Sequence, residues 1–347
     1  MRLRTILAVG GAVMTAAVKA RQVLRKLREM DLHDKVVLIM GGSRGLALEM
    51  ARVFKAEGAI VVLAARDKEE LARAEKILDM PTKKFLSLDC DVTDKEQVQS
   101  TINEVQKRFG KIDVLVNNAG LIEVGPIEVQ TLQDFETSIA TQFYGPLYAI
   151  QAVMPAMQAR RSGRIVNISS IAGIVSVPHL VPYSASKHAL KGLSDGLRSE
   201  LIKDNVYVTT VCPGLMRTGS PLNADMKGRH RIEYAFFALL DALPITSIDA
   251  DQAARQIVDA TKHGDARLII SMQARAITYL SAALPGFVQD MLGLSTWLLP
   301  KVGGVGNKSV KGWQSESPIT KSFLTKMSTD AAKRNNELLQ EQKSEGA

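Results

Sequence analysis

The sequence predicts a doubly wound α/β fold, a parallel sheet with helices on both faces, and three observations carry that prediction. Val36-Val37-Leu38-Ile39-Met40 is an unbroken apolar run, as a strand covered on both faces requires. It opens directly into the glycine turn Gly41-Gly42-Ser43-Arg44-Gly45, followed by apolar residues at helical spacing from Leu46 to Glu57. Gly58 then stops the helix, and Ala59 to Ala65 reads as the next strand, completing one β-α-β unit.

The alternation continues in order. A charged helix is expected at about 67–79, a strand at 84–89, a helix at 94–109 ended by Gly110, and a strand at 112–116. Next come a helix near 131–160, a strand at 164–168, a helix at 183–203, a strand at 206–211, a helix near 249–262 and a strand at 267–271. Such a sheet binds its ligand outside the carboxyl ends of the strands. Between the last two units, residues 219–245 include Tyr234, Phe236, Phe237, Leu239 and Leu240, which fit either an apolar lid or plain core packing.

After the last strand the pattern changes. Residues 274–299 form a broken apolar stretch interrupted by Pro285, suited to packing over the cleft, to a subunit contact or to a lipid surface. Gly303-Gly304-Val305-Gly306 and the polar tail to Ala347 read as loosely ordered, apart from a helix near 329–342. The expected division is therefore an anchor-like segment at 1–33, a catalytic domain at 34–272, an apolar extension at 273–300 and a basic tail at 301–347.

Charge separates the body from its ends. The formal charge is +8, yet residues 1–35 hold eight basic against three acidic side chains and residues 301–347 hold eight against five, which leaves the middle neutral. A nucleic-acid groove needs lysine and arginine gathered on the folded surface, so nucleic acid is not an expected partner. Basic ends suit an anionic membrane or simple solubility. Thr5 to Val18 carries no charge, but as a helix it would reach ~21 Å against a hydrocarbon layer of ~30 Å. It reads as a signal-peptide core, with Val18-Lys19-Ala20 as a loose cleavage site, or as a short anchor. Arg21, Arg25, Lys26 and Arg28 follow it and would hold the domain on the cytoplasmic side. Cys90 and Cys212 sit in apolar runs, the five histidines are scattered, and no metal site is expected.

The chemistry-bearing residues fall at strand ends. Gly41 and Gly45 let a backbone approach phosphates at the start of a helix, the arrangement of a dinucleotide cradle. At the end of the second strand stands Ala65 followed by Arg66, with Arg44 in the turn, where an acidic residue would select a free ribose hydroxyl. Two guanidiniums there suit a 2′-phosphate and favour NADPH over NADH. Tyr183 and Lys187 stand four residues apart, thirteen beyond Ser170. An ammonium one helical turn from a phenol would favour the phenolate and equip the tyrosine for acid–base work.

With these pieces in order, the chain resembles the short-chain dehydrogenase/reductase family, a Rossmann-fold family, over about residues 34–272. The likeness rests on Gly41-Gly42-Ser43-Arg44-Gly45 running into Leu46, Asp91-Val92-Thr93, Asn117-Asn118-Ala119-Gly120, Ser170 with Tyr183 and Lys187, and Pro213-Gly214 with Thr218. It implies that Asp91 and Val92 border the adenine, that Asn117, Ala119 and Gly120 support the middle of the cofactor, and that Pro213 to Thr218 closes on the nicotinamide. By the same likeness Tyr183 gives a proton to a carbonyl oxygen as hydride arrives, Ser170 orients that oxygen, and Lys187 lowers the tyrosine pKa and holds the nicotinamide ribose. Ser169 competes with Ser170 for this role. The chain departs from the family in Met40 for a usual threonine, Ala47 for a third glycine, and Gln142 for a helical asparagine of a water-linked proton relay.

The expected activity is an NADPH-dependent reduction of a ketone or aldehyde, of hydrophobic or lipid-like character. A 3-oxoacyl thioester is the rival substrate, and a non-catalytic NADPH sensor at a membrane is the rival of another class. Small residues along the Tyr183 helix, Ala185, Ala189, Gly192 and Gly196, suit a homo-oligomer contact.

Overall fold

The structure, a computed structural model, describes residues 16, 18–243, 245–317, 320 and 326–338. Apart from Ala16 and Val18, the expected anchor at 5–18 lies outside them, as does the end of the helix expected near 329–342. Among the described residues no helix is long and apolar enough to cross a membrane. The chain enters through a short helix, α1 (residues 18–27), whose Arg25 pairs with Asp259 and Asp265 of the body.

The sheet has seven strands. In chain order they are β1 (Val36–Met40), β2 (Ile60–Ala65), β3 (Phe85–Asp89), β4 (Val114–Asn117), β6 (Gly163–Ile168), β7 (Val206–Pro213) and β11 (Arg267–Ile270). They lie in the order β3-β2-β1-β4-β6-β7-β11, every neighbouring pair parallel. The order reverses between β1 and β4, which opens a crevice at their carboxyl ends.

Alternation within β1 shows why its apolar run is unbroken. Val37 and Ile39 point into a core shared with α2 (Gly45–Ala56), α3 (Lys68–Leu78) and α9 (Ala250–Lys262). Val36, Leu38 and Met40 point into the opposite core, shared with α4 (Lys95–Phe109) and α6 (Gly145–Ala159). Each such side chain contributes roughly 1.5–3 kcal/mol of burial, and this is the main force holding the two helical layers to the sheet. Local signals set the helix ends: Asp67 and Asp94 cap α3 and α4, and Gly110 ends α4 at φ +81°.

One expected helix is divided. The stretch near 131–160 resolves into α5 (Leu132–Ile139), a wide π turn at Ala140–Tyr144, and α6. The extra residue per turn rotates the following side chains, and π turns are frequent at functional sites for that reason. α7 (Val181–Leu201) carries the tyrosine and lysine.

A second level stands beyond the strand ends. It holds α8 (His230–Ala242), the pair β8 (Leu215–Arg217) with β10 (Ser247–Asp249), and a small sheet of β5 (Glu123–Val124), β9 (Asp225–Met226) and β12 (Val310–Lys311). This corrects the expectation of loose order for Gly303 to Gly306 and for the part of the tail among the described residues. Val305 donates to the Gly228 carbonyl, Gly228 donates to Gly306, and β12 pairs antiparallel with β9. α10 (Met272–Ala283) and α11 (Pro285–Ser295) lie on the surface, where Tyr279, Phe287, Trp297 and Leu298 stay exposed. A final helix, α12 (Lys326–Arg334), packs against α8 and β8.

Candidate active site

β6 ends at Ile168, and Ser169 and Ser170 follow in extended backbone at the mouth of the crevice. The two serines part here: Ser169 Oγ donates to the Lys187 carbonyl and is committed to holding α7. Ser170 Oγ caps the short turn after it, accepting from the Ala172 amide at 3.1 Å, and also hydrogen-bonds with the Tyr183 side chain. Ser170 is therefore the serine beside the phenol.

Lys187 projects from the same face of α7 as Tyr183, because four residues make about one helical turn. Its ammonium donates to the Ile168 carbonyl at 2.9 Å and lies 5.5 Å from the Tyr183 ring centroid. The electrostatics differ from those expected of the pair. Burial pushes the Lys187 amine down to about 7, and burial pushes the Tyr183 phenol up, with only the Ser170 hydrogen bond acting to lower it. Burial thus works against the charged form of both groups.

Gln142 sits in the π turn, fully buried. Its amide nitrogen donates to Ser138 Oγ and Ser186 Oγ at 3.1 and 3.0 Å, which fixes which way the amide faces. Its oxygen has no hydrogen-bond partner. A methyl group added at Gly120 would lie 3.3 Å from that oxygen and 3.6 Å from Lys187 Nζ, so both polar atoms border the same small space. Asn117, also buried, donates to Asn167 at 2.8 Å and ties β4 to β6 under this corner.

The glycine turn has the geometry of a phosphate cradle. Gly41 has φ +73°, and a Cβ there would meet Ala119 Cα at 2.5 Å, so only glycine allows the backbone to pass. Asn118 and Ala119 both donate to the Met40 carbonyl, which fastens the two loops together. Gly45 at φ +61° opens α2, with Leu46 buried behind it. Ser43 donates to Glu70 at 2.7 Å and Arg44 to the same carboxylate at 2.8 Å. Arg66 is mostly exposed and stands 3.7 Å from Asp91, whose other oxygen accepts from Thr93. Val92 packs against Gly145 at the start of α6. On the far side, Gly214 follows Pro213 and donates to the Ile270 carbonyl, and Thr218 accepts from the Ser220 amide. The glycine turn, the backbone donors at the start of α2 and the flanking arginines have the chemistry to hold the phosphates of a dinucleotide.

Two features escaped the sequence reading. Glu70 reads as an ordinary acidic residue in the first turn of a helix, yet it gathers both Ser43 and Arg44. The second is the carboxyl tail. Asn335, Asn336 and Glu337 are buried against this same turn: the Gly45 amide donates to the Asn335 carbonyl at 2.8 Å, and the Glu337 carboxylate stands 3.4 Å from Arg44 Nε. On the substrate side, His179 pairs with Glu233 of α8 at 2.8 Å, and Lys227 forms a buried ion pair with Asp134. Burial beside Asp134 pushes Glu123 up to about 8. Among the described residues no cluster suited to a metal ion occurs.

Comparison with known proteins gives the same family throughout. A model of the short chain dehydrogenases matches residues 35–227. The dehydrogenase/reductase SDR family member 7B of Danio rerio is 35% identical over 73% of this chain and 82% of its own length. A dehydrogenase/reductase SDR family protein 7-like of Anopheles gambiae is 41% identical over 56% of this chain, which spans only 62% of that protein's length. Among solved structures, a short-chain dehydrogenase from Streptomyces avermitilis superposes with a TM-score of 0.63 at 29% identity, covering 76% of this chain and 98% of its own. Levodione reductase gives a TM-score of 0.62 at 25% identity, covering 71% and 99%.

Proposed function

The chain belongs to the short-chain dehydrogenase/reductase family, oxidoreductases that take a nicotinamide cofactor, and from that premise we propose an NADPH-dependent reductase of hydrophobic ketones or aldehydes. The observation that carries the reading is the meeting of Ser170, Tyr183, Lys187 and Gln142 at the end of β6, beside the glycine turn of β1. When bound, the cofactor supplies hydride. The chain's own residues do the rest. Tyr183 Oη delivers a proton to the carbonyl oxygen, and Ser170 Oγ orients that oxygen by a hydrogen bond. Lys187, poised near neutrality, reprotonates the phenol, and the free oxygen of Gln142 faces the space through which water can resupply Lys187. The longer glutamine arm reaches this position from a π turn.

Arg44 and Arg66, with no acidic residue ending β2, support the choice of NADPH. The apolar residues of α8, where Phe236 is exposed and Phe237 half-buried, support a hydrophobic substrate. The exposed apolar side chains of α10 and α11 support contact with a membrane, and Arg21, Arg25, Lys26 and Arg28 support the domain's place on its cytoplasmic side. A Cβ at Gly192 or Gly196 would meet nothing within 4 Å, so this face of α7 is open to a second copy of the chain. Oxidation of NADPH against NADH over carbonyls of increasing chain length tests the reading. Rates should rise with chain length and with NADPH; a preference for small polar sugars would defeat it, and a preference for 3-oxoacyl thioesters would narrow it.

A further inference from the structure

The carboxyl tail occupies the ground a dinucleotide would need. α12 lays Ala332 against Gly219, where a Cβ would lie 2.4 Å from Ala332 Cβ, and Asn335 then donates to the Thr218 carbonyl. The next residues cross to the glycine turn. The Asn335 carbonyl takes the Gly45 amide, one of the donors that a phosphate would use at the start of α2. Asn336 donates to the carbonyls of Ser43 and Glu70, both at 2.9 Å, and accepts from Arg73. Glu337 brings a carboxylate beside Arg44, held by Asn223 at 2.6 Å, and a methyl group on Gly45 would lie 2.5 Å from its Oε1. All three residues are at least nine-tenths buried. A polar run of this kind tolerates burial because its amides and carboxylate find partners.

We propose that residues 326–338 are a built-in competitor for the cofactor, with Asn335–Glu337 standing in for the cofactor's phosphates until the cofactor displaces them. The backbone carbonyl and the carboxylate satisfy the amide and guanidinium that would otherwise hold phosphate oxygens, so the two occupants exclude each other. The affinity seen by the cofactor is then lowered by the fraction of molecules with the tail undocked: docking in 90–99% of them weakens it about 10- to 100-fold. Tethering favours the tail, since a segment of the same chain competes at an effective concentration in the ~mM range. This inference rests on the dinucleotide reading of the glycine turn.

The test uses the full chain. NADPH and NADH dissociation constants are measured by fluorescence titration for the parent and for a double variant, N336A with E337A. Trypsin cleavage after Lys333 and Arg334 is followed in the parent with and without NADPH. The expected results are about 10-fold tighter NADPH binding by the variant and faster cleavage of the parent tail when NADPH is added. Equal affinities would overturn the inference while leaving the dinucleotide reading intact. So would NADPH protecting those bonds, because the tail would then close over the cofactor rather than compete with it. A variant that binds neither nucleotide while keeping the parent's thermal stability would sink the dinucleotide reading, and this inference with it.

Discussion

The catalytic corner and the phosphate cradle are built in opposite ways. At the corner, Tyr183 and Lys187 come from one helix, and Ser170 precedes that helix by a short loop. At the cradle, the glycine turn is closed by Asn336, 293 positions away from the Ser43 carbonyl it binds. Helix geometry sets the spacing of Tyr183 and Lys187, with Gln142 packed against the same helix through Ser186, whereas the cradle's occupant depends on docking a segment from the far end of the chain. The corner is thus expected to be rigid and intolerant of change, and the cradle to be adjustable.

Tyr183→Phe puts the corner to the most severe trial. Removing the only proposed proton donor to the carbonyl should lower kcat by about 10²- to 10⁴-fold, while NADPH affinity stays within about 2-fold of the parent. Steady-state kinetics and cofactor titration read the two sides separately. Undiminished turnover would remove the corner from the chemistry.

Next in size is a pair of alanines in the cradle. Gly41→Ala forces a Cβ onto the Ala119 backbone at positive φ and should cost about 1–3 kcal/mol of stability. Gly45→Ala has a similar backbone conformation, but its new methyl meets the end of the Glu337 side chain, which can move. Gly41→Ala should therefore lower the melting temperature more than Gly45→Ala, and Gly45→Ala should loosen the tail as read by tryptic cleavage. Equal melting temperatures would mean that the tail is held as firmly as the sheet loops.

The same contrast governs what could be read in the sequence. Every strand of the seven-stranded sheet was legible, because short apolar runs bounded by polar, glycine or proline residues are local signals. Three things were not. The π turn at Ala140–Tyr144 has the same apolar spacing as a continuous helix to within one residue, so the stretch reads as unbroken. The push that burial exerts on Lys187 and Tyr183 comes from three-dimensional neighbours, which a spacing of four residues along a helix does not reveal. Asn335-Asn336-Glu337 has the composition of a solvated tail, and only its pairing with residues from four other parts of the chain explains its burial. How the positions of the site divide their roles was read from family likeness, and kinetics of single variants must establish it.

Gln142→Asn sharpens the corner at a smaller scale. Asparagine shortens the arm, so the amide cannot keep both serine hydrogen bonds, each worth about 1 kcal/mol. A stability loss of about that size and a fall in kcat of less than about 10-fold are expected, read by thermal denaturation and turnover. If the parent has no turnover and the asparagine variant gains it, the chain is a nucleotide-binding sensor and the corner is inactive by design.

The smallest expected effect is a pH dependence of the cradle's occupant. Ser328 of α12 donates to buried Asp241 of α8 at 3.1 Å; burial pushes that carboxyl up to about 7, with Glu337 adding to the rise and the Ser328 hydrogen bond and Arg217 opposing it. Burial also pushes Glu337 up, against the pull of Arg44 and Asn223. An acid whose folded pKa lies above its unfolded value binds more protons when folded, so the stability it lends is fully present below about pH 4 and is lost as pH rises to about 7. Where docking of the tail supplies part of that burial, rising pH should loosen the tail and strengthen cofactor binding by a few-fold between about pH 5 and 7.5. NADP⁺ titrations across this window check the trend, and Asp241→Asn should flatten it. A parent whose affinity does not change with pH, together with an identical profile in the variant, would show that α12 docks without regard to the charge beneath it.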